Sequence, residues 1–212
     1  MRVWICVPSA RPVAEVRDWA AKWHGRGYKI ALCVDSDDYA AAKHDMAEII
    51  LSPSPDGYRG YAKSVNALMS LVIKTKPDVD WLVSGGDDVF PDEAHTAEEI
   101  AAQCSEHFTC APELPGTCAK CRTFGVMQPT GHRWGDDASS RAMRPDAPAY
   151  IDSIAGSPWI GRQFALRING GKGPFWPEYR HCWSDEELQA VATKLGVFWQ
   201  RRDLIHFHNH WM

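Results

Sequence analysis

Two clusters of residues in this 212-residue chain could do chemistry with a divalent cation. The first is Asp87-Asp88, which follows directly on the apolar run 80–84 and on Gly85-Gly86. Adjacent carboxylates repel each other and hold water strongly, so their place at a strand end is explained if they hold a hard cation. The plainer alternative is a solvated turn that uses Asp as a turn former. The second cluster is the alternation His206-x-His208-x-His210. In an extended strand, side chains two apart share a face, and neutral imidazoles suit manganese or zinc. Phe207 and Trp211 among them argue against a solvated tail.

Cysteine supplies a further candidate. Four of the seven Cys crowd together as C-x5-C-x7-C-x2-C: Cys104, Cys110, Cys118 and Cys121. Four thiolates suit tetrahedral zinc, and a site with four protein ligands is structural because no position stays open. His107 lies in the same segment and could replace one thiolate. Free thiols or a disulfide pair are the alternatives. Cys6 and Cys33 fall within strand-like runs and read as inert core residues. The odd Cys count and the absence of a secretory pattern point to a reducing, cytoplasmic compartment.

The elements that must position these residues alternate. Strands are expected over 3–7, 28–34, 48–51 and 80–84, with Pro8 ending the first. Between them come a helix over 12–24, with Val13, Val16, Ala20 and Trp23 at helical spacing, a short helix after 35–38, and a helix over 61–74. Such alternation predicts an α/β fold with a mainly parallel sheet and helices on both faces. Ligands bind such sheets at the carboxyl ends of the strands. Here those ends read Pro8-Ser9-Ala10-Arg11, Asp35-Ser36-Asp37 and Gly86-Asp87-Asp88, all polar. Asp35 could accept from a ribose or base, and Arg11 and Lys63 could face phosphates, with Asn66 one helical turn beyond Lys63. Gly60-Tyr61-Ala62-Lys63 opens a helix, and helix N-termini attract anions. Both G-x-G-x-x-G and the P-loop are absent, so a diphosphate would be held through metal.

After residue 90 the pattern changes: a helix near 94–104 leads into the Cys-rich segment, and a strand over 124–128 is followed by Pro129-Thr130-Gly131. A loop over 138–149 and a short helix from Arg162 follow. The last helix runs from 184 to about 195, capped by Ser184, with Asp185, Glu186 and Glu187 in its first turn. Hydrophobic residues at 45% and charged residues at 24% exclude collagen-like, coiled-coil and wholly disordered chains. No run approaches the apolar length of a membrane span. The net charge of −4 gives no overall attraction for nucleic acid. The simplest partition is one domain over 1–212 with a Cys-rich insert at 104–121.

In this order the parts resemble a GT-A-fold glycosyltransferase, in particular the compact type of phages and bacteria. Gly86-Asp87-Asp88-Val89-Phe90-Pro91 is similar to that family's acidic motif for metal and sugar nucleotide, and Gly131 to Asp137 to its second acidic turn. Ser157 to Arg162 resembles the acceptor-side segment, and His181-Cys182-Trp183-Ser184-Asp185 resembles its histidine-x-x-x-aspartate element. Asp203 to His210 is similar to its closing strand. The Cys-rich insert and the missing C-terminal extension depart from the family pattern.

The resemblance implies a GT-A-like mixed sheet and transfer of a sugar from a nucleotide-sugar donor, UDP-linked by expectation. Mn2+ or Mg2+ would be held by Asp88, His208 and His210, with Zn2+ structural in the insert. Donor contacts would come from Pro8, Ser9, Arg11, Asp35, Lys63, Asn66 and Asp87, and Asp185 would be the base. A basic insert, with Lys120, Arg122, Arg133, Arg141 and Arg144 against Asp136 and Asp137, extends the expectation to a hydroxymethylated base of phage DNA as acceptor. The competing readings are a nucleotidyltransferase and a non-enzymatic, zinc-stabilised nucleic-acid-binding protein.

Overall fold

The computed structural model of the protein describes residues 2–34, 47–51, 59–108, 123–131, 155–180 and 182–208. The strands are β1 (Arg2–Ser9), β2 (Lys29–Val34), β3 (Ile49–Leu51), β4 (Val79–Ser84), β5 (Val89–Phe90), β6 (Val126–Gly131), β7 (Trp159–Gly161) and β8 (Phe198–His208). The α-helices are α1 (Val13–Gly25), α2 (Tyr61–Thr75), α3 (Ala97–His107), α4 (Arg162–Arg167) and α5 (Ser184–Lys194). One sheet runs in the order β3-β2-β1-β4-β7-β6-β8-β5.

The first four strands are mutually parallel, as the alternation of elements predicts. The other half is mixed: β7 is antiparallel to β4 and β6, β8 is parallel to β6, and β5 is antiparallel to β8. Helices cover both faces, so strands read as unbroken apolar runs. In β1, Val3, Ile5 and Val7 join one core with α1 and α3, while Trp4 and Cys6 join the other with α2, α4 and α5. Cys6 and Cys33 are core residues, as expected, and burial pushes the Cys6 thiol up. Trp4, Trp19, Trp23, Trp81 and Trp159 are also fully buried, so much of the Trp excess serves packing rather than ligand stacking.

Several boundaries differ from expectation. Pro8 does not end β1; it lies inside the strand opposite Cys33. The strand expected over 124–128 runs instead from Val126 to Gly131, with Pro129-Thr130-Gly131 as its second half. The third helix starts at Ala97 because Thr96 and Glu99 form a reciprocal capping box. Ser184 does not cap α5. Trp183 holds that place with φ 75°, and Ser184 is the first, buried, helical residue. A positive φ on a bulky residue is uncommon and costs backbone energy. β8 begins at Phe198, upstream of the expected closing strand. Its register against β6 jumps, so that Pro129 faces Arg201 while Thr130 faces Ile205.

The Cys-rich reading loses one ligand. Cys104 lies on the inner face of α3, fully buried in the core, and burial pushes its thiol well above the ordinary range. A thiol so placed packs as a small hydrophobe. His107 stacks flat on Trp199 at 3.9 Å, and burial lowers its pKa. Cys110, Cys118 and Cys121 lie outside the described residues, as do the short helix expected after 35–38, the second acidic turn and the 138–149 loop. No helix among the described residues is long and apolar enough to cross a membrane.

Candidate functional site

The sheet order changes direction at β1, whose neighbours are β2 and β4. In open α/β sheets the crevice outside the carboxyl ends of such strands is where ligands bind. β1 delivers Pro8, Ser9 and Arg11 to this edge, and β4 delivers the turn Gly86-Asp87-Asp88-Val89. The turn is closed by the Val89 N–H, which donates to Gly86 O at 3.2 Å. A Cβ at Gly86 would meet Asp88 Oδ1, so a larger residue there would displace that carboxylate.

The two carboxylates have different tasks. Asp87 accepts from Ser9 Oγ at 2.5 Å on one oxygen and from Arg11 Nε at 2.9 Å on the other. Arg11 also reaches Glu15 at 3.2 Å. The bond to Asp87 raises the guanidinium pKa further. Asp88 turns instead toward the last strand, where its Oδ2 lies 3.4 Å from His208 Nε2. Both side chains are largely buried. For comparison, two adjacent ligands of an octahedral cation at about 2.1 Å stand about 3 Å apart. The pair therefore fits the edge of such a coordination sphere. Among the described residues no group of three or more His, Cys, Asp or Glu gathers at one point. His210 and Asp35 lie outside them.

Alternation in β8 puts His206 and His208 on one face, but their environments differ. His206 is fully buried, its Nδ1 is 2.7 Å from Ser157 Oγ, and its ring meets the Trp23 indole edge-on. Burial pulls its pKa down to about 3. It is thus a neutral anchor, not one of three equivalent ligands. Ser157 is fixed in turn by its N–H donating to Gln128 Oε1 at 3.3 Å.

Two further contacts hold the neighbourhood, and the sequence reading assigned neither. Asp92 Oδ2 accepts the Ile205 N–H at 2.8 Å, and Oδ1 accepts the Ala94 and His95 N–H groups at 2.9 Å. Burial raises the Asp92 pKa, but the bonds from Ile205 and His95 outweigh it, and the net shift is downward. The indole N–H groups of Trp19 and Trp23 both donate to Val89 O, at 2.8 and 3.1 Å. The i, i+4 spacing of two Trp was the available signal.

Two expected donor contacts are used otherwise. Asn66 is buried and clamps the Phe175 backbone, donating to its carbonyl at 2.6 Å and accepting its N–H at 3.1 Å. A Cβ at Gly173 would strike that amide. The N-terminus of α2 is likewise covered, because Tyr61 N–H donates to Arg180 O at 2.7 Å, and Gly60 takes φ 94° beneath it. Lys63 stands exposed in the first turn of α2. Asp185 is half-buried in the first turn of α5, and its carbonyl accepts the Ala155 N–H at 3.4 Å.

No protein-family model matches the chain, and no curated protein matches it in sequence. Solved structures do. Three of them are glucosyl-3-phosphoglycerate synthase from Mycobacterium tuberculosis. One, in complex with Mn2+, UDP and glucosyl-3-phosphoglycerate, is similar over 100% of this chain and 73% of its own, with TM-score 0.54 and 11% identity. A second, with Mn2+, UDP and phosphoglyceric acid, gives 0.54 at 12% identity over 100% and 72%. A third, with Mg2+ and UDP, gives 0.53 at 13% identity over 100% and 72%. The chain thus has a mixed α/β fold similar to that of GT-A glycosyltransferases.

Proposed function

We propose that this protein is a divalent-cation-dependent glycosyltransferase that uses a nucleoside-diphosphate sugar, with UDP as the nucleotide. The observation that carries the reading is the approach of Asp88 and His208, 120 positions apart in sequence, to 3.4 Å at the switch-point edge of the sheet. Metal and UDP in all three solved neighbours support it. A bound Mn2+ or Mg2+ supplies charge neutralisation on the departing diphosphate.

This chain's own residues do the rest. Asp88 and His208 present an oxygen and a nitrogen to the cation, with His210 as a third ligand. Asp87 fixes the turn and holds Arg11 at the crevice. Arg11 keeps N–H groups beyond its bonds to Asp87 and Glu15, and those suit a phosphate. Asp35 takes the ribose or base, and Lys63 the phosphates. Asp185 removes the proton of the acceptor hydroxyl as that oxygen attacks the anomeric carbon. The strand-end segment Pro8 to Pro12 is not the basic, Gly-rich loop that a nucleotidyltransferase wants.

Calorimetry of UDP with Mn2+ and with EDTA tests the reading. UDP binds only with Mn2+, and Asp88→Ala and His208→Ala each weaken that binding about 100-fold or more, the upper end of the loss known for outer-shell contacts to a metal. Equal UDP affinity in EDTA overturns it. Asp185→Asn keeps UDP binding and loses transfer. Phosphoglycerate and hydroxymethylated DNA, offered with labelled UDP-sugars, are the acceptor arms of the same assay.

A further inference from the structure

The acidic turn is attached to α1 by an unusual means. Trp19 and Trp23 stand one helical turn apart on the buried face of α1, 2% and 0% exposed. Their indole N–H groups converge on one atom, the carbonyl oxygen of Val89. Val89 is the residue that closes the Asp87-Asp88 turn through Gly86, and it is also the residue paired with His208 in the β5–β8 ladder. A single residue, Val89, therefore lies between the two residues that the proposed function gives to the cation, next to Asp88 in the chain and opposite His208 in the ladder. Trp23 adds a second link, since its ring meets that of His206, two positions before His208 on the same face.

The chemistry of the contact suits positioning. A carbonyl oxygen has two lone pairs and can accept two donors. Two rigid indoles, each packed on all sides, define its place from two directions. A buried indole N–H left without a partner is costly, so each Trp favours the one strand position that satisfies it. Ordinary core packing could fill the same volume with Leu or Phe but would not fix a polar atom.

We propose that Trp19 and Trp23 are positioning residues of the cation site, acting through the Val89 carbonyl to set the distance between Asp88 and His208. This inference rests on the cation reading above, and its test separates the two. The double variant Trp19→Phe/Trp23→Phe removes both donors and keeps aromatic bulk. Mn2+ alone is titrated and followed by the electron paramagnetic resonance signal of the free ion. Trp81→Phe is the control, because Trp81 is equally buried in the same core and its N–H donates elsewhere, to Ser105 Oγ at 3.1 Å.

The expected result is a fall in Mn2+ affinity of about tenfold or more in the double variant, the scale of losing an outer-shell contact, with Trp81→Phe unchanged. Mn2+ binding that depends on Asp88 but is equal in the double variant and the wild type overturns the inference and leaves the function standing. Equal weakening by Trp81→Phe also overturns it, since general loosening of the core would then explain the effect. Mn2+ binding that ignores Asp88→Ala removes both readings. A second measurement needs no variant. In the wild type, Mg2+ shifts the indole 1H–15N resonances of Trp19 and Trp23 and not that of Trp81; bound Mg2+ with both resonances unmoved overturns the inference.

Discussion

The two sides of the candidate site are built on different physics. On the β1 side, Asp87 is held by charge and by one hydroxyl, at residues open enough to meet solvent: Arg11 has about a third of its side chain exposed and Asp87 less than a fifth. On the β8 side the contacts are buried and mostly between neutral groups: His206 to Ser157, two indoles to Val89, and an enclosed carboxylate, Asp92, to the Ile205 N–H. The open side can exchange its partners for a ligand at little cost. The buried side cannot rearrange without stranding a polar group. The contrast suggests one side that adapts to the ligand and another that keeps His208 in place.

Acid should break the contrast most strongly. His206 has a folded pKa of about 3 against an ordinary 6.5. Between these values the unfolded chain binds a proton that the folded chain excludes, so stability falls as pH falls. The slope reaches about 1.4 kcal/mol per pH unit below pH 6.5. Urea midpoints from pH 7 to pH 4, in EDTA, should show it, and His206→Phe should flatten it. Equal slopes in both proteins would show that His206 is solvated.

Asp92→Ala comes next, with a loss of about 3 kcal/mol, because three backbone N–H groups lose a buried, charged acceptor. The same carboxylate has a lowered folded pKa, so its contribution is full above its ordinary value and fades as pH drops below about 4. Denaturation at pH 7 and pH 3 separates the two effects: the gap between variant and wild type should narrow in acid.

A smaller effect sharpens the comparison. Ser157→Ala removes the hydroxyl beside His206 Nδ1 and should cost about 1–2 kcal/mol. Arg11→Ala, on the open side, should cost less than about 1 kcal/mol, and that loss should shrink in high salt. An Arg11 variant destabilised more than Ser157→Ala would reverse the assignment of rigid and adaptable sides.

What the sequence made legible follows the same division. The four parallel strands could be read because both sheet faces are covered and each strand is an apolar run ending in polar residues. Asp88 and His208 could be nominated because strand ends and alternation restrict where such side chains point. Their contact joins positions far apart in the chain, and no local pattern reports that. The contrast between His206 and His208 was equally hidden. Both satisfy the same alternation, and the depth of burial comes from Trp23 and Ser157 on other elements. Cys104 misled because a spacing pattern says nothing of which side of a helix a thiol occupies. Asn66 and Gly60 misled because Phe175 and Arg180, far along the chain, take up the groups that seemed ready for a ligand.

The jump in register between β6 and β8 has a consequence of parity. Before it, the odd positions Trp199 and Arg201 turn toward the α1 and α3 layer; after it, the even positions Leu204 and His206 do. Arg202 and Asp203 are both exposed and absorb the change of phase. Removing one of them while the upstream pairing stays in place would shift the downstream residues by one, leave the imidazoles facing outward and turn Ile205 and Phe207 in, because strand faces repeat every two residues. In this stretch the count of residues sets which side chains reach the site, and Asp203 also holds Arg201 through two hydrogen bonds at 2.6 and 2.7 Å.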